Sequence, residues 1–108
     1  GRLKVFTKTM DEELILLTTQ LKVARGKEFY KLLKQTYYAI APLLEKRANQ
    51  MIEAEGKLSA RMVGALANEF NLCVKHTFEF LEELKILPSG TYDRLIDRGL
   101  KARDILRK

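Results

Sequence analysis

Apolar residues in this chain come in small clusters, and their spacing is helical almost throughout. Leu14, Leu17, Leu21 and Ala24 recur at three- and four-residue intervals, which puts them on one face of a helix. Thr9 and Glu12 have the spacing of a capping box, and Asp11, Glu12 and Glu13 suit the positive end of a helix dipole. A helix is therefore expected to begin at Thr9 and to stop at Arg25-Gly26. Phe29, Leu32, Leu33, Thr36, Tyr37 and Ile40 open a second pattern, which Leu44, Ala48, Met51 and Ile52 carry on to Gly56. Pro42 lies inside it. Proline has no amide hydrogen and its ring clashes with the carbonyl of Tyr38, so residues 27–55 are expected to be either one kinked helix or two helices meeting at a corner, with a break near Ala41-Pro42 favoured.

Ser59 is a good N-cap for a short helix with Met62, Val63, Leu66, Ala67 and Phe70 inward and Asn71 at its end. Val74, Thr77, Leu81 and Leu84 define the next helix, expected to reach Leu87 before Pro88-Ser89-Gly90 stops it. The last is expected from Thr91 through Leu106, with Tyr92, Leu95, Ile96, Ala102 and Ile105 on its inner side. Residues 2–8 partly alternate basic and apolar and read as an extended arm. The expectation is an all-α fold, a compact bundle of five or six helices, with an arm over 1–8 and a single helical domain over 9–108.

At 108 residues the chain is one domain by size, with little room for a deep pocket. No apolar run approaches the about 20 residues of a bilayer span, so no membrane-crossing segment is expected. Cys73 is the single cysteine and cannot form an internal disulfide; with no leader-like apolar stretch, the expected location is cytoplasmic. The opening Gly1-Arg2 reads as a tag remnant or as the start of a piece of a longer protein, in which this would be an accessory domain.

The segment Ser59 to Leu87 resembles the helix-turn-helix of winged-helix DNA-binding domains. Ala67 stands where that family places a small inward residue, Asn71-Leu72-Cys73 makes the turn, and Thr77, Leu81 and Leu84 pack the second helix down. The resemblance implies that Val74, Lys75, Phe78 and Glu79 project outward, with His76 nearby, toward a major groove about 12 Å wide. No wing is expected, because Pro88-Ser89-Gly90 leads straight into a helical pattern. Glu79, Glu82 and Glu83 would repel phosphates, and Val74, Phe78 and Phe80 widen the apolar face as though this helix were covered on two sides.

Charge shifts the emphasis to the edges. Twenty Lys and Arg against fourteen Asp and Glu give a net charge of +6. Residues 1–50 carry a net +5, residues 51–90 a net −2 and residues 91–108 a net +3. Lys27, Lys31, Lys34 and Tyr38 fall at i, i+4, i+7 and i+11, a stripe about 16 Å long on one helical face. Tyr30 and Tyr38 are placed to stack on unpaired bases beside it. Arg94, Arg98 and Lys101, with Arg103, Arg107 and Lys108, form a second basic strip partly neutralised by Asp93, Asp97 and Asp104.

Catalytic chemistry finds little support. Cys73 and His76 are three residues apart, but no third orienting residue or glycine-rich oxyanion loop accompanies them. One Cys and one His do not make a four-ligand zinc site, and Gly56, Gly64, Gly90 and Gly99 form no phosphate-cradling loop. No cofactor is expected. The leading expectation is a non-enzymatic domain that binds DNA or RNA, with DNA first. Its candidate contacts are Lys27, Lys31, Lys34, Tyr38, Lys75, His76, Arg94, Arg98 and Lys101. The alternative is a protein-interaction or oligomerisation module, a homodimer or part of a larger complex, using the apolar surface around Phe78 and Phe80.

Overall fold

The computed structural model describes residues 11–99, and the expected arm over 1–8, the Thr9 cap and Lys101 lie outside them. Five helices follow in order: α1 Glu12–Val23, α2 Gly26–Glu55, α3 Ala60–Glu69, α4 Val74–Glu83 and α5 Thr91–Asp97. No strand or wing occurs among the described residues.

α1 starts later than the Thr9 spacing suggests. Asp11 is extended, and its carboxylate accepts the amide of Leu14 at 2.9 Å, so Asp11 is the N-cap. Aspartate is at least as good a cap as threonine and brings a charge that suits the helix dipole. Thr18 and Leu21 face inward. The chain reverses through Gly26, whose φ of +62° is one that a residue with a side chain rarely adopts.

α2 runs unbroken for 30 residues, about 45 Å, and Pro42 lies inside it. The expected break at Ala41-Pro42 does not occur. Leu32, Thr36, Ile40, Leu44 and Ala48 form one buried stripe on both sides of the proline, and that packing carries the helix through. Tyr38 and Pro42 are exposed, so the carbonyl that loses its amide partner lies on the solvent side, where the loss costs least.

α3 and α4 end alike. Asn71 and Lys85 both have left-handed backbone, with φ of 55° and 65°. After α3, the amides of Asn71 and Leu72 bond back to the carbonyls of Asn68 and Ala67; after α4, those of Lys85 and Ile86 bond to Glu82 and Leu81. Both are Schellman motifs, which satisfy carbonyls the helix leaves open. α4 therefore stops at Glu83 rather than Leu87, while Ile86 and Leu87 remain half-buried beyond its end.

α4 touches α2, α3 and α5, and α1 lies along α2. The core comprises Ile40 and Leu44 of α2, Val63, Leu66 and Phe70 of α3 and its cap, and Val74, Phe78 and Leu81 of α4. α5 buries no residue fully. It ends at Asp97, Gly99 follows with φ of +90°, and the rest of the expected helix, from residue 100 to Leu106, lies outside the described residues.

Among the described residues, three threonines are fully buried. Thr18 donates to the carbonyls of Leu14 and Ile15, and Thr77 to that of Cys73. The Thr36 hydroxyl has no partner among the described residues. A buried, unpaired hydroxyl costs about 1–3 kcal/mol, and valine has nearly the same shape. Thr36→Val is thus expected to stabilise the fold by about 1 kcal/mol and raise the melting midpoint by about 4–8 °C. A thermal melt at or below the parent midpoint would show that the hydroxyl finds a partner.

Candidate nucleic-acid interface

The first half of α2 presents its polar face to solvent. Lys27, Lys31 and Lys34 are exposed there, as are Tyr30 and Tyr38 at 71% and 66%. None of the three lysines makes an ion pair or hydrogen bond with a described residue, unlike Arg47, whose guanidinium Nε reaches both Glu69 oxygens at 3.0 and 3.2 Å. The exposed rings are held by buried or half-buried neighbours. Tyr30 meets Phe29 edge-on at 5.2 Å, Tyr38 meets Tyr37 at 5.5 Å, and Tyr37 in turn meets Phe80 at 5.2 Å. Such edge contacts fix ring orientation.

α4 is placed differently from the outward projection that the winged-helix resemblance implies. Val74 and Phe78 are 2% and 1% exposed, so they belong to the core. Phe80 is buried as well, which removes the apolar interaction surface expected around Phe78 and Phe80. Lys75, Glu79 and Glu83 are the exposed positions. His76 is half-buried, its ring 5.6 Å from that of Phe29. Glu82 serves the fold: its carboxylate accepts the amides of Gly90 at 2.9 Å and Tyr92 at 3.0 Å, capping the start of α5.

The turn over residues 70–73 is pinned to α1. The Asn71 amide donates to the hydroxyls of Thr18 at 2.8 Å and Thr19 at 3.1 Å, and its carbonyl oxygen accepts from Lys22 Nζ at 2.7 Å. At the start of α4, Cys73 Sγ accepts the His76 amide at 3.4 Å. Burial raises the Cys73 pKa, but hydrogen bonding and charge from His76 outweigh it and leave the thiol below its ordinary value. No described cluster of His, Cys, Asp and Glu could hold a metal ion, and no described helix is long and apolar enough to cross a membrane.

The C-terminal strip is not assembled within the described residues. Arg94 spends its guanidinium on the Ser89 carbonyl at 3.2 Å and the Thr91 hydroxyl at 3.3 Å. Arg98 is exposed but caps the helix end. Residues 11–99 hold thirteen Lys and Arg against thirteen Asp and Glu, so the chain's net positive charge comes from residues 1–10 and 100–108.

Between α2 and α4 lies a groove of about 290 Å³ lined by Tyr30, Leu33, Lys34, Tyr37, Tyr38, Glu79, Phe80 and Glu83. Burial raises the Tyr37 pKa, with the charge of Glu83 the next cause and smaller contributions from Tyr38 and Glu45. Burial also raises that of Glu79; Lys75 opposes the rise, and Glu82 and Asp93 add to it. Sequence reasoning found Tyr30, Lys34 and Tyr38, placed Glu79 outward on α4 through the winged-helix resemblance, and treated Glu79 and Glu83 as unfavourable charges. Their i, i+4 spacing marks one face of α4, but not that this face meets the tyrosines of α2. No family model, curated protein or solved structure matches this chain, so the reading of these surfaces rests on their geometry and charge alone.

Proposed function

We propose that this domain binds nucleic acid through the exposed face of α2, with Lys27, Lys31 and Lys34 on backbone phosphates and Tyr30 and Tyr38 stacked on unpaired bases. The observation that carries this reading is three lysines with no partner among the described residues beside two exposed, oriented aromatic rings on one helix. A positively charged track with aromatic platforms is the general chemistry of single-strand binding. The burial of Val74 and Phe78 favours a strand lying across α2 over insertion of α4 into a duplex groove. In this reading the α3–α4 hairpin is the scaffold, and the basic residues of both ends add long-range attraction.

The test is binding to a short oligo-thymidine strand and to a duplex across a salt series. Single-strand affinity should fall steeply with salt, by about 0.7 log units per log unit of salt for each phosphate neutralised. The double variant Lys31→Ala, Lys34→Ala should weaken binding and flatten that slope by about 1.4. No binding at low ionic strength to either form would end the proposal. An unchanged slope in the double variant would remove the α2 face from it.

A further inference from the structure

The α2–α4 groove holds chemistry that phosphate binding leaves unexplained. Buried Phe80 and half-buried Tyr37 line its inner part, Tyr30 and Tyr38 its exposed part, and Glu79 and Glu83 stand one turn apart on the α4 side. Its size suits a single planar group and falls at the small end of ligand pockets. Carboxylates beside a phosphate-binding face repel a nucleic-acid backbone. They attract only a group that arrives with hydrogen-bond donors.

A nucleobase brings both faces to stack and an edge to read. We infer that the groove takes one unpaired base bearing an exocyclic amino group, guanine foremost, with Glu79 or Glu83 accepting its N–H groups. This rests on the proposed binding of a strand along α2. Guanine presents N1–H and an N2 hydrogen side by side, which match the two oxygens of one carboxylate. Cytosine and adenine offer an amino group without a second donor beside it. Thymine and uracil offer one N–H between two carbonyls that face a carboxylate unfavourably. Partial desolvation of Glu79, seen in its raised pKa, strengthens such bonds.

A cationic side chain from a partner protein would also suit aromatic faces and carboxylates. Lys34 lines the groove itself, and Lys27 and Lys31 lie on the same helix, which favours an anionic strand.

The experiment is fluorescence anisotropy of the full chain with a labelled thymidine strand and with the same strand carrying one central guanine, cytosine or adenine. The guanine strand should bind about tenfold tighter than the all-thymidine strand, within the range of a two-bond base contact, with cytosine and adenine between. The double variant Glu79→Gln, Glu83→Gln, checked by circular dichroism, should lose that preference. It should also bind the all-thymidine strand more tightly, because two negative charges leave the neighbourhood of the phosphates. Equal affinity of the parent protein for all strands, with binding intact, overturns the groove reading and leaves the lysine face standing. A guanine preference that survives in the variant overturns it too. Failure to bind any strand overturns both readings. An arginine-rich peptide bound by the parent and lost in the variant, with no base preference, would assign the groove to a protein segment instead.

Discussion

Phe78→Asp is expected to unfold the bundle. Phe78 sits on the inner face of α4, almost completely buried, with its ring 5.3 Å from that of Tyr92 on α5. Losing a buried phenylalanine alone costs about 3–5 kcal/mol. Aspartate adds a carboxylate that is either ionised without a partner or protonated at a cost, each worth several kcal/mol. The sum reaches the whole stability of a domain this size, about 5–15 kcal/mol. Far-UV circular dichroism should therefore lose its helical signal at room temperature. A variant that kept a cooperative helical melt would put Phe78 at the surface and revive an interaction face there.

Asn71→Ala should bring the second largest loss, about 3 kcal/mol or a drop of roughly 10–20 °C in the melting midpoint. Two costs add. The side chain bonds Thr18, Thr19 and Lys22, which tie the α3–α4 turn to α1. Its backbone is left-handed, a conformation that costs alanine about 1–2 kcal/mol and glycine almost nothing. Asn71→Gly separates the two, because it keeps the turn and loses only the bonds. The expected order of midpoints is parent, then glycine, then alanine. If glycine melts as low as alanine, the backbone contribution is absent; if both melt with the parent, the turn is not pinned.

Features contained within a few residues could be read from the sequence. The Ser59 cap, whose hydroxyl accepts the Met62 amide at 3.3 Å, and the turn at Asn71 are of this kind, because their partners lie within one helical turn. Pro42 is not, since its effect depends on Ile40 and Leu44 being held by α3 and α4, and no local pattern reveals that packing. The end of α4 was misplaced for a related reason. Leu84, Ile86 and Leu87 continue the apolar spacing and still pack against the core, yet a left-handed Lys85 takes the last two out of the helix. At the candidate site, the exposure of Lys27, Lys31 and Lys34 follows from helical spacing. The pairing of Glu79 and Glu83 with the tyrosines depends on contact between helices some forty residues apart in the chain.

α5 is seven residues long, buries none of them fully, and begins on two backbone bonds to one carboxylate, that of Glu82. It can therefore open as a unit while α2, α3 and α4 stay packed, at a small fraction of the cost of global unfolding. Each opening takes Tyr92 away from Phe78 and briefly bares an aromatic ring of the core. The strength of the Glu82 cap therefore sets how often that ring meets solvent.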